Sequence, residues 1–517
     1  MRMKSSAGIV AAGLCLAAAS CREPGPKSFV RTTAPLMAIT HVRVIDGTGG
    51  AGKDDQTVII QSGRIRSVAN AALLPTPPAG AEIVDGRGRT LIPGLVEMHE
   101  HLFYEVDDSL FLAQAAFARL YLASGVTTIR TAGTVDLDGD LRLKGRIDAG
   151  GLPGPKIHVT GGYLNRASGP PDPEQIAREV NAQADRGATS FKAYTSLRRA
   201  ELDAAIRAAH ARGLKITGHL CAVGFREAAA MGIDNLEHGL AVDTEFDPEK
   251  QPDVCPDQGA FMTPLIQADV RTDGRIRGTI AALVDHGVAV TSTLAVFEAF
   301  TGDKSAFDPR LPAVLAPRIR KRYEAARSRW TDRSAPWPRA WATMLTKEMQ
   351  FERAFIAAGG RLMAGVDPTG WGGVVAGFGD QRQLELLVEA GFTPEMAIRI
   401  ATSNAADFLN EGDRIGTIAP GYQADLVLVR GNPSQQISDV RNVEIVFKDG
   451  VGYDPAALIA ATEGAVGGYD LRQVFRWPYN ALILTLCAIL IARVLARRFR
   501  GRRHVPERAI TSAPENG

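Results

Sequence analysis

The chain has 517 residues, 45% hydrophobic and 22% charged, with a formal net charge of +2. This is ordinary globular composition, with apolar material for a large core spread over two or three structural units. So small a net charge calls for no acidic or basic partner. Only the C-terminal end is locally basic, at Arg497, Arg498, Arg500, Arg502 and Arg503, and nothing elsewhere signals nucleic-acid binding.

The first residues, Met1-Arg2-Met3-Lys4, precede a stretch of small apolar residues over 7–19. A basic start, a short apolar run and small residues predict a secretory signal peptide over 1–21. The stretch is short for a membrane-spanning helix. Ala18-Ala19-Ser20-Cys21 resembles a bacterial lipoprotein processing site, so simple cleavage and lipidation of Cys21 both stay open. Residues 22–35 read as a spacer.

Short alternating strands are expected over 38–44, 56–60, 64–68, 82–84 and 90–92, making a small β unit over 36–93. The chain then runs Leu91-Ile92-Pro93-Gly94-Leu95-Val96-Glu97-Met98-His99-Glu100-His101. On an extended strand alternate side chains share a face, so His99 and His101 converge and Glu100 points away. Two imidazoles meeting at a strand end suit a metal ion. From here apolar strands alternate with alanine-rich helical stretches, the pattern of βα units and a parallel sheet. Strands are expected near 125–130, 157–160, 188–194, 214–219, 235–239, 288–293 and 361–367. Helices are expected over 111–124, 173–186, 199–212, 225–231, 279–287 and 347–359. With the His99 strand this makes about eight strands, as in a (β/α)8 TIM-type barrel over 94–405. The segment 243–346 exceeds what its βα units need and reads as an insertion over the site. Strands near 425–429 and 443–448 would rejoin the N-terminal unit, giving a small β-sandwich domain built from both flanks (36–93 and 406–453).

Residues 454–476 read as a linker. The apolar stretch 477–496, with Trp477 and Tyr479 at one end and arginines at the other, predicts a C-terminal transmembrane helix with a basic cytoplasmic tail over 497–517. The two ends together predict an extracytoplasmic (periplasmic), membrane-anchored catalytic body. The five cysteines include no C-x-x-C pair, which argues against a cysteine zinc site. Cys221 and Cys255 could pair in an oxidising compartment or stay free.

A barrel places its chemistry at strand C-termini. Few polar residues stand there: Lys192, His219, His238 and Asp367 join His99 and His101. Each alone is commonly structural, but one architecture puts all six on one rim. The order His-x-His, Lys, His, His, Asp resembles the amidohydrolase superfamily, as do Glu237-His238-Gly239, Ala405-Ala406-Asp407-Phe408-Leu409 and Ile415-Gly416-Thr417-Ile418-Ala419-Pro420-Gly421-Tyr422-Gln423-Ala424-Asp425-Leu426-Val427. Within it the chain looks like the imidazolonepropionase-related group that contains prolidase-like dipeptidases. Phe191-Lys192-Ala193-Tyr194 points to its two-metal members.

The resemblance implies two divalent ions, Zn2+ or a similar metal given nitrogen and oxygen donors. His99, His101 and Asp367 would hold the more buried ion, and His219 and His238 the second. A carbamate on Lys192 would bridge them, since a cationic amine cannot bind a cation. Asp367 would be the catalytic base and then acid. Tyr194, on the face of Lys192, would bond substrate or merely pack the barrel. The sequence departs from its relatives at Gln381 and Gln383, where they commonly carry His and Glu.

The expected function is metal-dependent hydrolysis of a C–N amide bond, in a dipeptide or an N-acyl amino acid, by a metal-activated hydroxide. The alternatives are a cyclic amide or lactone hydrolase, a deaminase (disfavoured by Lys192), or a catalytically silent membrane-bound binding protein. The expected partner is a small-molecule substrate.

Overall fold

The computed structural model describes residues 25–468, apart from 75, 108, 167–168, 304–306 and 333–334. The N-terminal flank supplies β1 (Val30–Thr32), β2 (Leu36–Val44), β3 (Lys53–Gln61), β4 (Arg64–Asn70), β5 (Glu82–Asp85) and β6 (Arg89–Pro93). The central region supplies β7 (Leu95–Glu100), the hairpin β8 (Phe103–Val106) and β9 (Ser109–Leu112), β10 (Val126–Thr131), β11 (Lys156–His158) and β12 (Thr160–Leu164). It continues through β13 (Ser190–Ala193), β14 (Lys215–Gly218), β15 (Asn235–Glu237), β16 (Ala289–Ser292) and β17 (Leu362–Ala364). The C-terminal flank adds β18 (Leu426–Arg430), β19 (Val443–Lys448) and β20 (Val451–Tyr453).

The two flanks share one nine-stranded sheet in the order β1-β20-β19-β18-β6-β2-β3-β4, with β5 on β2. β18 pairs antiparallel with β6, Leu426 opposite Pro93, so the strand that enters the barrel is tied to the strand that follows it. Alternate apolar residues such as Met37, Ile39, Val58, Leu426 and Phe447 form this sheet's core.

The central strands are parallel, as β11-β10-β7 and β12-β13-β14-β15-β16-β17. Only Val159 separates β11 from β12, so the two arcs share an interrupted strand. At the other seam the backbone N–H groups of Val366 and Asp367 donate to the His99 carbonyl, at 3.3 and 3.0 Å. The ring closes with eight strand positions, with the polar strand ends on one rim. Gly365 makes this closure possible, because a Cβ there would stand 2.4 Å from the His99 nitrogen.

The surrounding helices follow local rules. Pro173–Arg186 starts with the Asp172 side chain accepting from the Gln175 N–H and with proline in its first turn. It ends at Gly187 with φ +109°, a conformation glycine tolerates best. It buries Ile176, Val180 and Gln183, one face at helical spacing. The segment after β15 is largely helical, through Gln258–Gln267, Gly274–Asp285, Leu294–Ala299, Pro317–Trp330 and Pro336–Ala357.

Two expectations need correction. The helix predicted over 111–124 begins only at Gln114, because Phe111 and Leu112 pair with Tyr104 and Phe103 in a hairpin. Tertiary pairing there outweighs helical propensity. The fold class also loses its transmembrane helix. Among the described residues no helix is long and apolar enough to cross a membrane. The 22-residue helix Pro336–Ala357 has the length, but Arg339, Lys347, Glu348, Glu352 and Arg353 interrupt it. The stretch 477–496 lies outside the described residues; its strictly apolar core stops short of the ~20 residues a bilayer demands. The expected signal peptide and Cys21 also lie outside the described residues. The fold is the α/β barrel with its flanking sheet.

Candidate metal centre

Six side chains converge at the C-terminal rim. His99 and His101 leave β7, Lys192 lies in β13, His219 follows β14, His238 follows β15 and Asp367 follows β17. His101 Nε2 stands 3.1 Å from Asp367 Oδ1, and His99 Nε2 stands 3.7 Å from the same oxygen. His238 Nε2 lies 3.8 Å from Asp367 Oδ2. The His238 ring centroid is 4.5 Å from those of both His99 and His219. His99, His101 and Asp367 each offer a ligand atom, all within 4.8 Å of one another. Both His238 (φ +68°) and Asp367 (φ +50°) sit in the left-handed region, where Asp and His are the side-chain-bearing residues most often found alongside Asn. Thr369 Oγ1 donates to Asp367 Oδ1 at 2.7 Å, fixing the carboxylate.

The electrostatics suit a cation. Burial, then Lys192, pushes the His219 imidazole down to about 3. Burial also holds His238 well below its usual range and lowers His99. All three are neutral at pH 7, with lone pairs free to ligate. Burial opposes the ionised form of Asp367, but the His99 and His101 imidazoles outweigh it and hold that carboxyl well below its usual range. Lys192 is 1% exposed, and its Nζ has no hydrogen-bond partner. Burial brings its pKa down to about 8, although Glu237 pulls it back up. His238 Nε2 is likewise buried without a hydrogen bond. Unpartnered buried donors and acceptors are costly, and here they face one point between neutral imidazoles and a carboxylate. Their donor set fits a divalent ion.

Behind the rim lies a polar network that the sequence did not single out. Glu237, fully buried, accepts from Arg130 Nη2 at 2.7 Å and meets His99 Nδ1 at 2.8 Å. Its Oε1 is 3.6 Å from Lys192 Nζ, and Thr217 Oγ1 donates to the same oxygen. Burial opposes the carboxylate charge, but Lys192, His99 and Arg130 overcome it and keep Glu237 ionised. With Nδ1 so engaged, His99 presents Nε2 to the centre; Thr293 Oγ1, 2.8 Å from His238 Nδ1, does the same for His238. An arginine inside the strand Val126-Thr127-Thr128-Ile129-Arg130 was the available signal, since a buried guanidinium demands a carboxylate.

Glu100 faces away from the histidine pair, as its strand parity requires. Its Oε2 accepts from the Tyr121 hydroxyl at 2.7 Å and its Oε1 from the Val366 N–H at 3.0 Å. Gln381 and Gln383 do not line the centre. Gln383 accepts from the Ala295 N–H and donates to Ser292 Oγ, at 3.0 and 2.7 Å; Gln381 accepts from Arg310 Nη2 at 2.9 Å.

The centre opens into a cavity of about 450 Å³. Tyr194 lines it, edge-on to His219 at 5.3 Å and to Tyr163 at 4.9 Å. The loop before Gln258 closes one side, and a Cys221–Cys255 disulfide ties it to the end of β14.

Known proteins frame this geometry. The curated relatives match only short stretches. An adenine deaminase 2 of Bradyrhizobium sp. (strain ORS 278) is 32% identical over 96 residues, 19% of this chain and 15% of that relative. An imidazolonepropionase of Idiomarina loihiensis is 39% identical over 66 residues, 13% of this chain and 16% of that relative. The chain thus spans about a sixth of the length of these relatives. A crystal structure of a Xaa-Pro dipeptidase with bound methionine shares the fold, with a TM-score of 0.59 at 22% identity over 81% of this chain and 100% of that one. The profile of the amidohydrolase family matches residues 90–452, from β6 through the barrel to β20. By that match, which spans all six rim residues, the chain belongs to the amidohydrolase family.

Proposed function

We propose that the protein is a metal-dependent hydrolase of the C–N amide bond in dipeptides or N-acyl amino acids. The observation that carries this reading is the convergence of four imidazoles, Asp367 and the buried Lys192, whose Nζ makes no hydrogen bond, at one place on the rim. His99, His101 and Asp367 would hold one divalent ion, His219 and His238 a second, with Zn2+ matching the donors. A carbamate on Lys192 would serve both; a pKa near 8 leaves part of the amine neutral at pH 7, the form that adds to carbon dioxide with loss of a proton. When bound, such ions lower the pKa of a water and polarise the scissile carbonyl. Asp367 takes the proton from the attacking water and passes it to the departing amine. The Tyr194 hydroxyl donates to a substrate carbonyl or carboxylate, and Arg130 and Glu237 hold His99 in its ligating tautomer.

We also place the working protein outside the cytoplasm, a reading supported by the apolar N-terminal stretch and the Cys221–Cys255 disulfide.

Metal analysis of the purified chain, with zinc-supplemented assays on dipeptide and N-acyl amino acid panels, tests the reading. Bound metal with amide cleavage supports it. A chain that takes up no metal refutes it, and ammonia release from a heterocycle would move the assignment to a deaminase.

A further inference from the structure

The cavity wall beside His238 is aromatic. Phe297 lies 5.9 Å from the His238 ring, Trp341 stacks on Phe297 (5.5 Å, 18°), and Phe300 stacks on Trp341 (5.1 Å, 29°). Trp330 lies 5.0 Å from Phe300, tilted by 57°. None of these side chains belongs to a barrel strand. Phe297 and Phe300 come from Leu294–Ala299 and its C-terminal cap, and Trp341 from Pro336–Ala357. Phe297 is buried, whereas Phe300 and Trp341 stay partly exposed, with the cavity beside them. Both also pack against the main core, so the wall is anchored while part of its ring surface faces the cavity.

Beside His219 and His101 the lining carries Tyr194, Tyr163 and Phe103, with Thr195. Among the described lining residues Lys192 is the only lysine or arginine, and it belongs to the centre itself. Among the described residues the lining thus offers no further lysine or arginine to select a second anionic group. Selectivity falls to apolar contact, and planar groups are what stacked rings hold best. A volume of about 450 Å³ is of the size that takes ligands with a ring system.

We propose that Phe297, Trp341 and Phe300 form a substrate shelf that selects amides carrying a bulky planar aromatic group on one side of the scissile bond, with the smaller, polar half toward Tyr163 and Tyr194. This rests on the amide-hydrolase reading and narrows it to one class of substrate.

The test uses the full chain loaded with Zn2+ and three substrates: N-acetylglycine, N-benzoylglycine and N-acetylphenylalanine. One aromatic substrate should exceed N-acetylglycine in kcat/KM by roughly 30-fold or more. Trp341→Ala should cut that ratio by about tenfold, and Phe300→Leu, which removes the ring but keeps a branched apolar side chain, by less. Aromatic and plain substrates turning over within threefold of each other, or a ratio untouched by both variants, overturns the shelf. If Trp341→Ala fails to fold by circular dichroism, Phe300→Leu carries the kinetic arm.

A binding arm separates the two readings. 2-Acetylnaphthalene has a carbonyl and a ring system but no C–N bond. It should quench the intrinsic fluorescence of the zinc-loaded chain, with about tenfold weaker binding after Trp341→Ala. Binding of this kind without hydrolysis of any amide sinks the hydrolase reading and keeps the shelf. Amide hydrolysis with neither aromatic preference nor binding sinks the shelf alone.

Discussion

Glu237→Gln isolates the network behind the centre. The substitution keeps the shape and leaves one acceptor for His99 Nδ1, but removes the charge that faces Arg130 at 2.7 Å and Lys192 at 3.6 Å. At an effective dielectric of 20 the Arg130 contact alone amounts to about 6 kcal/mol of Coulomb attraction before desolvation is counted. Arg130 is 2% exposed, so breaking the pair strands a buried guanidinium, at a net cost of about 3–5 kcal/mol. In a chain of this size that lowers Tm by roughly 3–5 °C. The loosened His99 should also weaken zinc binding about 10–100-fold. Differential scanning fluorimetry and competition with a zinc chelator measure the two effects. Arg130→Met alone should be destabilising, and the double variant should lose less than the sum of the singles, because it leaves no stranded guanidinium. A Glu237→Gln chain that melts within about 1 °C of wild type and binds zinc within twofold would refute the reasoning.

Asp367→Ala should cut amide turnover by about a thousandfold or more while the chain stays folded by circular dichroism; retained activity would remove Asp367 from the mechanism. Glu352, pushed up to about 8 by burial, keeps its proton in the folded state after the unfolded carboxyl has ionised near 4.5. The folded protein then binds more protons between those values, so stability falls as pH rises from about 4.5 to 8, by at most ~1.4 kcal/mol per unit, and is level above. Tm measured from pH 5 to 8 should decline less steeply in Glu352→Gln, and equal slopes would contradict the assignment. Reducing Cys221–Cys255, which closes a loop of sequence separation 34, should cost about 4 kcal/mol on the loop-entropy estimate. The same treatment frees the loop beside His219 and should raise KM; an unchanged melting curve after complete thiol labelling would speak against the bridge.

Much of this protein is written locally in its chain. The two-residue period of the β strands, the 3.6-residue period of helices such as Pro173–Arg186 and the alternation between them are local properties, so the barrel and its flanking strands were legible. So were the six rim residues, because strand ends define one face once the barrel is recognised. The membrane span was expected from the same local logic, on residues outside the described ones, and no described helix is long and apolar enough to cross a bilayer. What local pattern could not supply is which side chains meet across distance. Arg130 and Glu237 are 107 positions apart, and neither charge makes sense until both are buried together. Gln381 and Gln383 sit where relatives carry His and Glu, yet only packing shows that Gln383 bonds the end of β16 and Gln381 bonds Arg310, away from the cavity lining. The Cys221–Cys255 pair and the aromatic shelf depend on how the insertion folds over the rim. Periodicity determined the scaffold and the placement of the centre; long-range burial, which alone fixes the partners of charged and aromatic groups, decided how that centre is held and what shape it presents to a substrate.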